Sequence, residues 1–416
     1  MKSSFILVSG SITSGKSTLL SLLDGHSDIF TLPFLHDKIL TGILNIPIFD
    51  GLPSWFTDYM DAYNIINYIY DNTDLKILRL ISFQKEILMH IDRNKTLRIP
   101  FDFKFNVLEQ NIFDELKYIK REYILPNYIG EIVFSNMSKL LHGKEFRYYL
   151  SQAENGFVDY NNIIKKYPNI KIIFIKRDRF SWIYAHVKRA SFYLNKRFDV
   201  VLTQIFENDT RIKNLLYLEQ LITYYAKDNP YNITILDFDE LIHKTQFVTK
   251  KLLNYLEIKD ANALRTTTVL GKSVPLLRYV RDDVYRDASA YEMSCIRQTV
   301  HDYIKRTWPV ESGIAEKLAG NEVYFWGCGE MLRHKKWLFE SVKPICILDD
   351  TICSLSDDLI PRYVDDIPVL HPDTVLPHSK PLPIIIFAGQ NATSIIRDKI
   401  TKYPSVTAIY ACSPCL

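Results

Sequence analysis

The sequence predicts an α/β protein: a parallel sheet flanked by helices, followed by a second, smaller α/β domain. Three observations predict it. The chain opens with an apolar run, Phe5 to Val8, that enters a glycine loop and then a helical stretch carrying Leu19, Leu20, Leu22 and Leu23. Two further apolar runs, Ile170 to Ile175 and Ile233 to Leu236, end in charged residues, as buried parallel strands do at their carboxyl ends. The pattern restarts at Val323, where strand, glycine turn and helix follow one another again.

Composition sets the outer limits. At 416 residues the chain is long enough for two cores. Hydrophobic residues at 47% and charged residues at 24% describe an ordinary globular protein, not a disordered one. A formal net charge of +3 is too small to point by itself to nucleic acid or a membrane surface. The first residues do not have the pattern of a signal peptide, and no apolar segment has the length of a bilayer span. All six cysteines lie after residue 290, an arrangement expected of reduced thiols in the cytoplasm. Cys412 and Cys415 form a single C-x-x-C without a second pair, so no metal site is expected.

The first loop carries the chemistry. Gly10, Gly15, Lys16 and Ser17 fill every fixed position of G-x-x-x-x-G-K-[ST], between a strand and a helix. Glycines let backbone N–H groups wrap a phosphate, the helix N-terminus adds positive potential, and Lys16 adds a full charge. Ser14, Gly15, Lys16, Ser17 and Thr18 are therefore the expected cofactor-binding residues, and the ligand is a phosphorylated nucleotide.

The run from Ser14 to Ile29, SGKSTLLSLLDGHSDI, continues to Leu32 and Pro33 and resembles the phosphosulfate-binding loop of the P-loop sulfotransferases. Two positions depart from that family's pattern: Thr13 stands where a basic residue is usual, and Lys16 where threonine is usual. Tyr167 to Asp178, YPNIKIIFIKRD, resembles the family's second motif, whose arginine and a following serine hold the cofactor's 3′-phosphate. Arg177 matches the arginine. Ala185 replaces the serine, and Ser181, one helical turn earlier, is the substitute. Ile233 to Leu241, followed by Lys250 to Ile258, resembles the third landmark and its helix, and Val269 to Val274 resembles a late Gly-Lys loop in which Lys272 reaches a cofactor phosphate.

The resemblance covers residues 1 to 310 and implies a sulfotransferase-like parallel sheet flanked by helices. It also implies 3′-phosphoadenosine-5′-phosphosulfate as sulfuryl donor to a hydroxyl or amine; a glycan or lipid-linked saccharide is the expected acceptor by association with the C-terminal domain. Lys16 and His36 are the catalytic candidates. Lys16 would meet charge on the leaving oxygen, and His36, in the loop after the first helix, has the titration range of a base. His26 reads as a packing residue at the helix end. Two other classes remain open: a P-loop kinase or NTPase with magnesium held by the acids near Asp237, and a non-catalytic nucleotide-binding protein.

The remaining stretches are read more coarsely. Leu78 to Ile91 has a helical apolar pattern. Arg98 to Lys104 reads either as acceptor-cleft lining or as a surface loop. Pro309 to Gly320 is the expected linker, with a Rossmann-like domain at 321–416 resembling those attached to bacterial sugar-modifying enzymes. There Val323 to Gly329 is strand and turn, a helix runs from Met331 to Val342, and Ile345 to Asp350 is a strand ending in acids at dinucleotide-fold spacing. Leu332 replaces the third fingerprint glycine, so this domain reads as a dinucleotide site or as a docking or nucleotide-sugar-sensing module.

Overall fold

The computed structural model describes residues 4–11, 13–31, 39–44, 58–92, 95–119, 126–153, 160–208, 222–223, 225–258, 267–270, 272–274, 284, 286–351, 363–364 and 366–412. The chain divides into two compact units, Met1–Val201 with Tyr225–Met293, and Leu202–Tyr224 with Ser294–Leu416. Among the described residues, no helix is long and apolar enough to cross a membrane.

The first unit is built on strands β1 (Ser4–Gly10), β2 (Ile29–Thr31), β5 (Tyr148–Gln152), β6 (Lys171–Lys176) and β7 (Ile233–Asp237). Two small hairpins accompany them, β3 (Glu86–Asp92) with β4 (Lys95–Pro100), and β8 (Thr268–Val269) with β9 (Lys272–Ser273). The main sheet has the order β2-β5-β1-β6-β7 and is parallel throughout. Its central strand is apolar on both faces because both are covered. Ile6 and Val8 pack with Leu19, Leu22 and Leu23 of the helix Lys16–Leu23 and with Leu241 and Leu252. On the opposite face Phe5 meets the rings of Phe134 and Tyr149. Each such buried leucine or phenylalanine stabilises the unit by about 1.5–3 kcal/mol relative to exposure.

One expectation in this unit is corrected. Leu78 to Ile91 is not one helix. The helix is Leu75–Gln84, Lys85 ends it in a left-handed conformation at φ 57°, and β3 follows at once. The β-rich run Glu86 to Asp92 gains a full strand partner in β4, which outweighs its helical spacing.

In the second unit β10 (Glu322–Trp326), β11 (Lys343–Leu348), β12 (Tyr363–Val364), β13 (Ile367–Leu370), β14 (Leu382–Ile386) and β15 (Val406–Ala411) form one sheet. The order is β12-β13-β11-β10-β14-β15, parallel except for β12 against β13. Without β12 this is sequence rank 3-2-1-4-5, the arrangement of a doubly wound sheet. Tyr324, Trp326, Cys346, Leu348, Ile384 and Ile386 fill its core. The helix expected over Met331 to Val342 is shorter, Glu330–Lys335, and tightens into a 3₁₀ turn, Lys336–Phe339.

The stretch read as a linker is not one. Pro309–Lys317 is a helix of the second unit, with Pro309 at its first turn, where a missing N–H is harmless. It buries Glu311, which pairs with the equally buried Lys335. Pro309, Gly313 and Gly320 read as linker punctuation because composition alone does not show this long-range ion pair. The second unit therefore takes in this helix, the helix Ala290–Thr307 from residue 294 onward, and residues 202–224.

Candidate functional site

β1 ends between β5 and β6, with β2 beyond one neighbour and β7 beyond the other, so the chain leaves Gly10 at the point where the strand order reverses. Ligands of open α/β sheets bind at such points. The loop is shaped by its glycines. Gly10 has φ 145°, and a Cβ there would come 2.6 Å from Ser14 Oγ and 2.8 Å from the Ile175 carbonyl oxygen. Gly15 has φ 102°, and a Cβ there would fall 2.2 Å from the Phe238 ring. No side chain caps the helix Lys16–Leu23 at Gly15, so its first N–H groups face the loop.

Lys16 is buried and folds back over this loop, donating from Nζ to the carbonyl oxygens of Gly10 at 2.9 Å and Ser11 at 3.0 Å. Ser14 is fully buried, and its Oγ has no hydrogen-bond partner among the described residues. A buried hydroxyl left unmet costs about 1–3 kcal/mol, a cost that an anion in the loop would remove. Ser17 is exposed and Thr18 half-buried on the first helical turn. These residues fit a phosphate-bearing ligand.

Arg177 comes to the same place from the end of β6. Its Nη1 donates to the Thr13 carbonyl at 2.8 Å, its Nε donates to Ser181 Oγ at 3.1 Å, and the guanidinium lies 4.7 Å from the Phe238 ring centroid. Burial pulls its pKa down to about 10, with Asp239 and Asp178 opposing the shift, so it is charged at neutral pH. Asp178 caps the helix Arg179–Leu194 by accepting from the Ser181 N–H at 2.9 Å, which holds Ser181 beside the arginine. Arg177 thus reaches the backbone of Thr13, a position without a basic side chain of its own.

Three contacts at this site were not readable from the sequence. Phe238 lies between Gly15 and Arg177 although it follows β7. Ser9 Oγ and the Tyr160 hydroxyl are 2.5 Å apart, and burial pushes Tyr160 up to about 12, the Ser9 bond opposing it. Asp24, after the first helix, accepts from Thr31 Oγ1 at 2.7 Å and Thr268 Oγ1 at 2.8 Å, tying β2 and β8 to the helix end. Only the D-G-H spelling after the helix hinted at this last network.

The other expected residues fall as follows. His36 lies outside the described residues. His26 is buried, and its Nδ1 accepts from the Asp28 N–H at 3.1 Å, a turn-closing role. Lys272 is on β9, paired with Val269, and its side chain lies outside the described residues. That hairpin is anchored at Asp24, about 13.5 Å along the helix from Gly15 at 1.5 Å per residue. Asp237 caps the helix Phe238–His243, accepting from the Glu240 N–H at 3.0 Å. Arg98 is exposed and paired with Glu86 at 3.0 Å, while Phe101 and Phe103 are buried, so the charges of that stretch are solvated.

A central parallel strand entering a G-x-x-x-x-G-K-S loop and a helix is the P-loop arrangement. No protein-family model and no curated protein matches the sequence. Among solved structures, the chain is similar to a sulfotransferase domain from the curacin biosynthetic pathway, with 14% identity and a TM-score of 0.33, covering 73% of this chain and 97% of that one. It is similar to a sulfotransferase domain of a Synechococcus olefin synthase, with 12% identity and a TM-score of 0.34, covering 72% and 88%. A sulfotransferase from Mycobacterium tuberculosis shares 11% identity at a TM-score of 0.33, covering 64% and 70%.

Proposed function

We propose that the chain is a sulfotransferase that moves a sulfuryl group from 3′-phosphoadenosine-5′-phosphosulfate to a hydroxyl or amine of a glycan or lipid-linked saccharide. One observation carries the reading. Two buried cations, Lys16 at the start of the helix after β1 and Arg177 at the end of β6, converge on the same loop, Lys16 donating to the carbonyls of Gly10 and Ser11 and Arg177 to the carbonyl of Thr13. A nucleotide with phosphate at both ends of its ribose would use both.

When bound, the donor supplies an activated sulfuryl group. The chain supplies charge and order. Gly15 to Ser17 and Lys16 stand where negative charge grows on the leaving phosphate, and prearranged groups there act mainly on the transition state. Arg177 and Ser181 hold the phosphate that does not change. His36 is the proposed base for the acceptor proton, on its place in the sequence and its titration range.

Calorimetry tests this reading. Adenosine 3′,5′-bisphosphate binds without magnesium and at least tenfold tighter than ATP, a difference of about 1.4 kcal/mol. Tight, magnesium-dependent binding of ATP with no response to the bisphosphate makes the chain a kinase or NTPase instead.

A further inference from the structure

The helix Leu75–Gln84 of the first unit presents an unusual outer face. Leu75 and Leu78 turn inward and are fully buried. Ile77, Leu80 and Phe83, three residues apart in turn, are 41%, 64% and 73% exposed. Lys76 and Arg79 are exposed between them, and Lys85 is exposed at the helix end. No aspartate or glutamate occurs from Leu75 to Lys85. Arg79 is balanced by Glu109 at 2.8 Å, and Lys76 and Lys85 make no ion pair among the described residues. The nearest acids in sequence are Asp74, before the helix, and Glu86, which pairs with Arg98.

Single exposed apolar side chains are ordinary. Three on one helix face, with cations interleaved and acids excluded, are the composition of a helix that lies in a lipid interface. There the apolar chains enter the acyl boundary and the lysine stems reach out to anionic headgroups. We propose that this face docks the protein on an anionic lipid surface. The whole chain carries only +3, whereas every charged side chain from Leu75 to Lys85 is cationic. The inference does not depend on the sulfuryl-transfer reading, although it would bring the chain to a lipid-linked acceptor.

The test uses the full chain and vesicles of equal parts phosphatidylglycerol and phosphatidylcholine, against phosphatidylcholine alone, in 0.1 M salt, a condition chosen for its Debye length of about 10 Å. Sedimented protein should be at least fivefold greater on the anionic vesicles. Leu80→Ser with Phe83→Ser should lower that binding about tenfold or more. Lys76→Glu with Lys85→Glu should remove the preference for anionic lipid. Both variants replace exposed side chains, so their melting by circular dichroism should match the parent. The proposal is overturned if the parent does not prefer anionic vesicles, or if both variants bind as the parent does. It is equally overturned if ultracentrifugation shows a dimer that Leu80→Ser with Phe83→Ser dissociates while no vesicle binding is found.

Discussion

Each unit of the molecule begins its sheet with a strand that enters a glycine turn and a helix, and the two turns meet charge in opposite ways. In the first, Lys16 bonds to the carbonyls of Gly10 and Ser11, and Arg177 to the carbonyl of Thr13. In the second, a carboxylate fills the turn: Asp349 accepts from the Cys328 N–H at 2.9 Å and from Thr351. The buried cation of that unit, Lys335, is met by Glu311. The first turn gathers two cations, whereas the second sets a carboxylate on the N–H of Cys328. A strand followed by glycines therefore says little about ligand until the charges across the sheet are known.

The largest break in this comparison should come from Glu311→Ala. It leaves Lys335 buried and unpaired and should cost about 3–5 kcal/mol. Trp308, Trp326 and Trp337 lie in the second unit, so fluorescence-detected urea unfolding reports on it. A loss below about 1 kcal/mol would show that the pair is not what holds that unit. Next in size is Gly15→Ala. The left-handed backbone and the Phe238 ring together should cost about 2–4 kcal/mol. Gly329→Ala is the control in the other turn: its φ is −75° and no atom lies within 4 Å of the added Cβ. It should stay within about 0.5 kcal/mol of the parent.

The smallest effect is one of pH. Burial raises the pKa of Asp349, but the bonds from Cys328 and Thr351 outweigh it and hold the carboxyl below its ordinary value of 3.8. A group depressed on folding stabilises above its unfolded pKa. Its contribution is thus complete above the ordinary carboxylate range and is lost as pH falls through the folded value. Asp349→Asn should flatten that acid limb of the stability curve and leave the neutral region nearly unchanged. An acid limb as steep as the parent's would assign the loss to other carboxylates.

The sequence made the strands and the phosphate loop legible because both are local patterns. Arg177, held beside Ser181, meets the loop at Thr13 because β1 and β6 are neighbours whose carboxyl ends coincide. What stayed hidden depends on distance along the chain. Phe238 supports Gly15 from 223 positions away, and nothing near either residue announces it. The helix Pro309–Lys317 was masked by its proline and glycines, and its evidence is a lysine on another helix. The hairpin β3–β4 lost out to a helical spacing because partner strands are invisible to periodicity.

The central claim, that Lys16 and Arg177 serve different ends of one nucleotide, is tested most directly by titrating two ligands into one variant. Arg177→Ala should weaken adenosine 3′,5′-bisphosphate at least tenfold, about 1.4 kcal/mol, while changing adenosine 5′-monophosphate less than about threefold. Equal weakening of both ligands, or of neither, would contradict it.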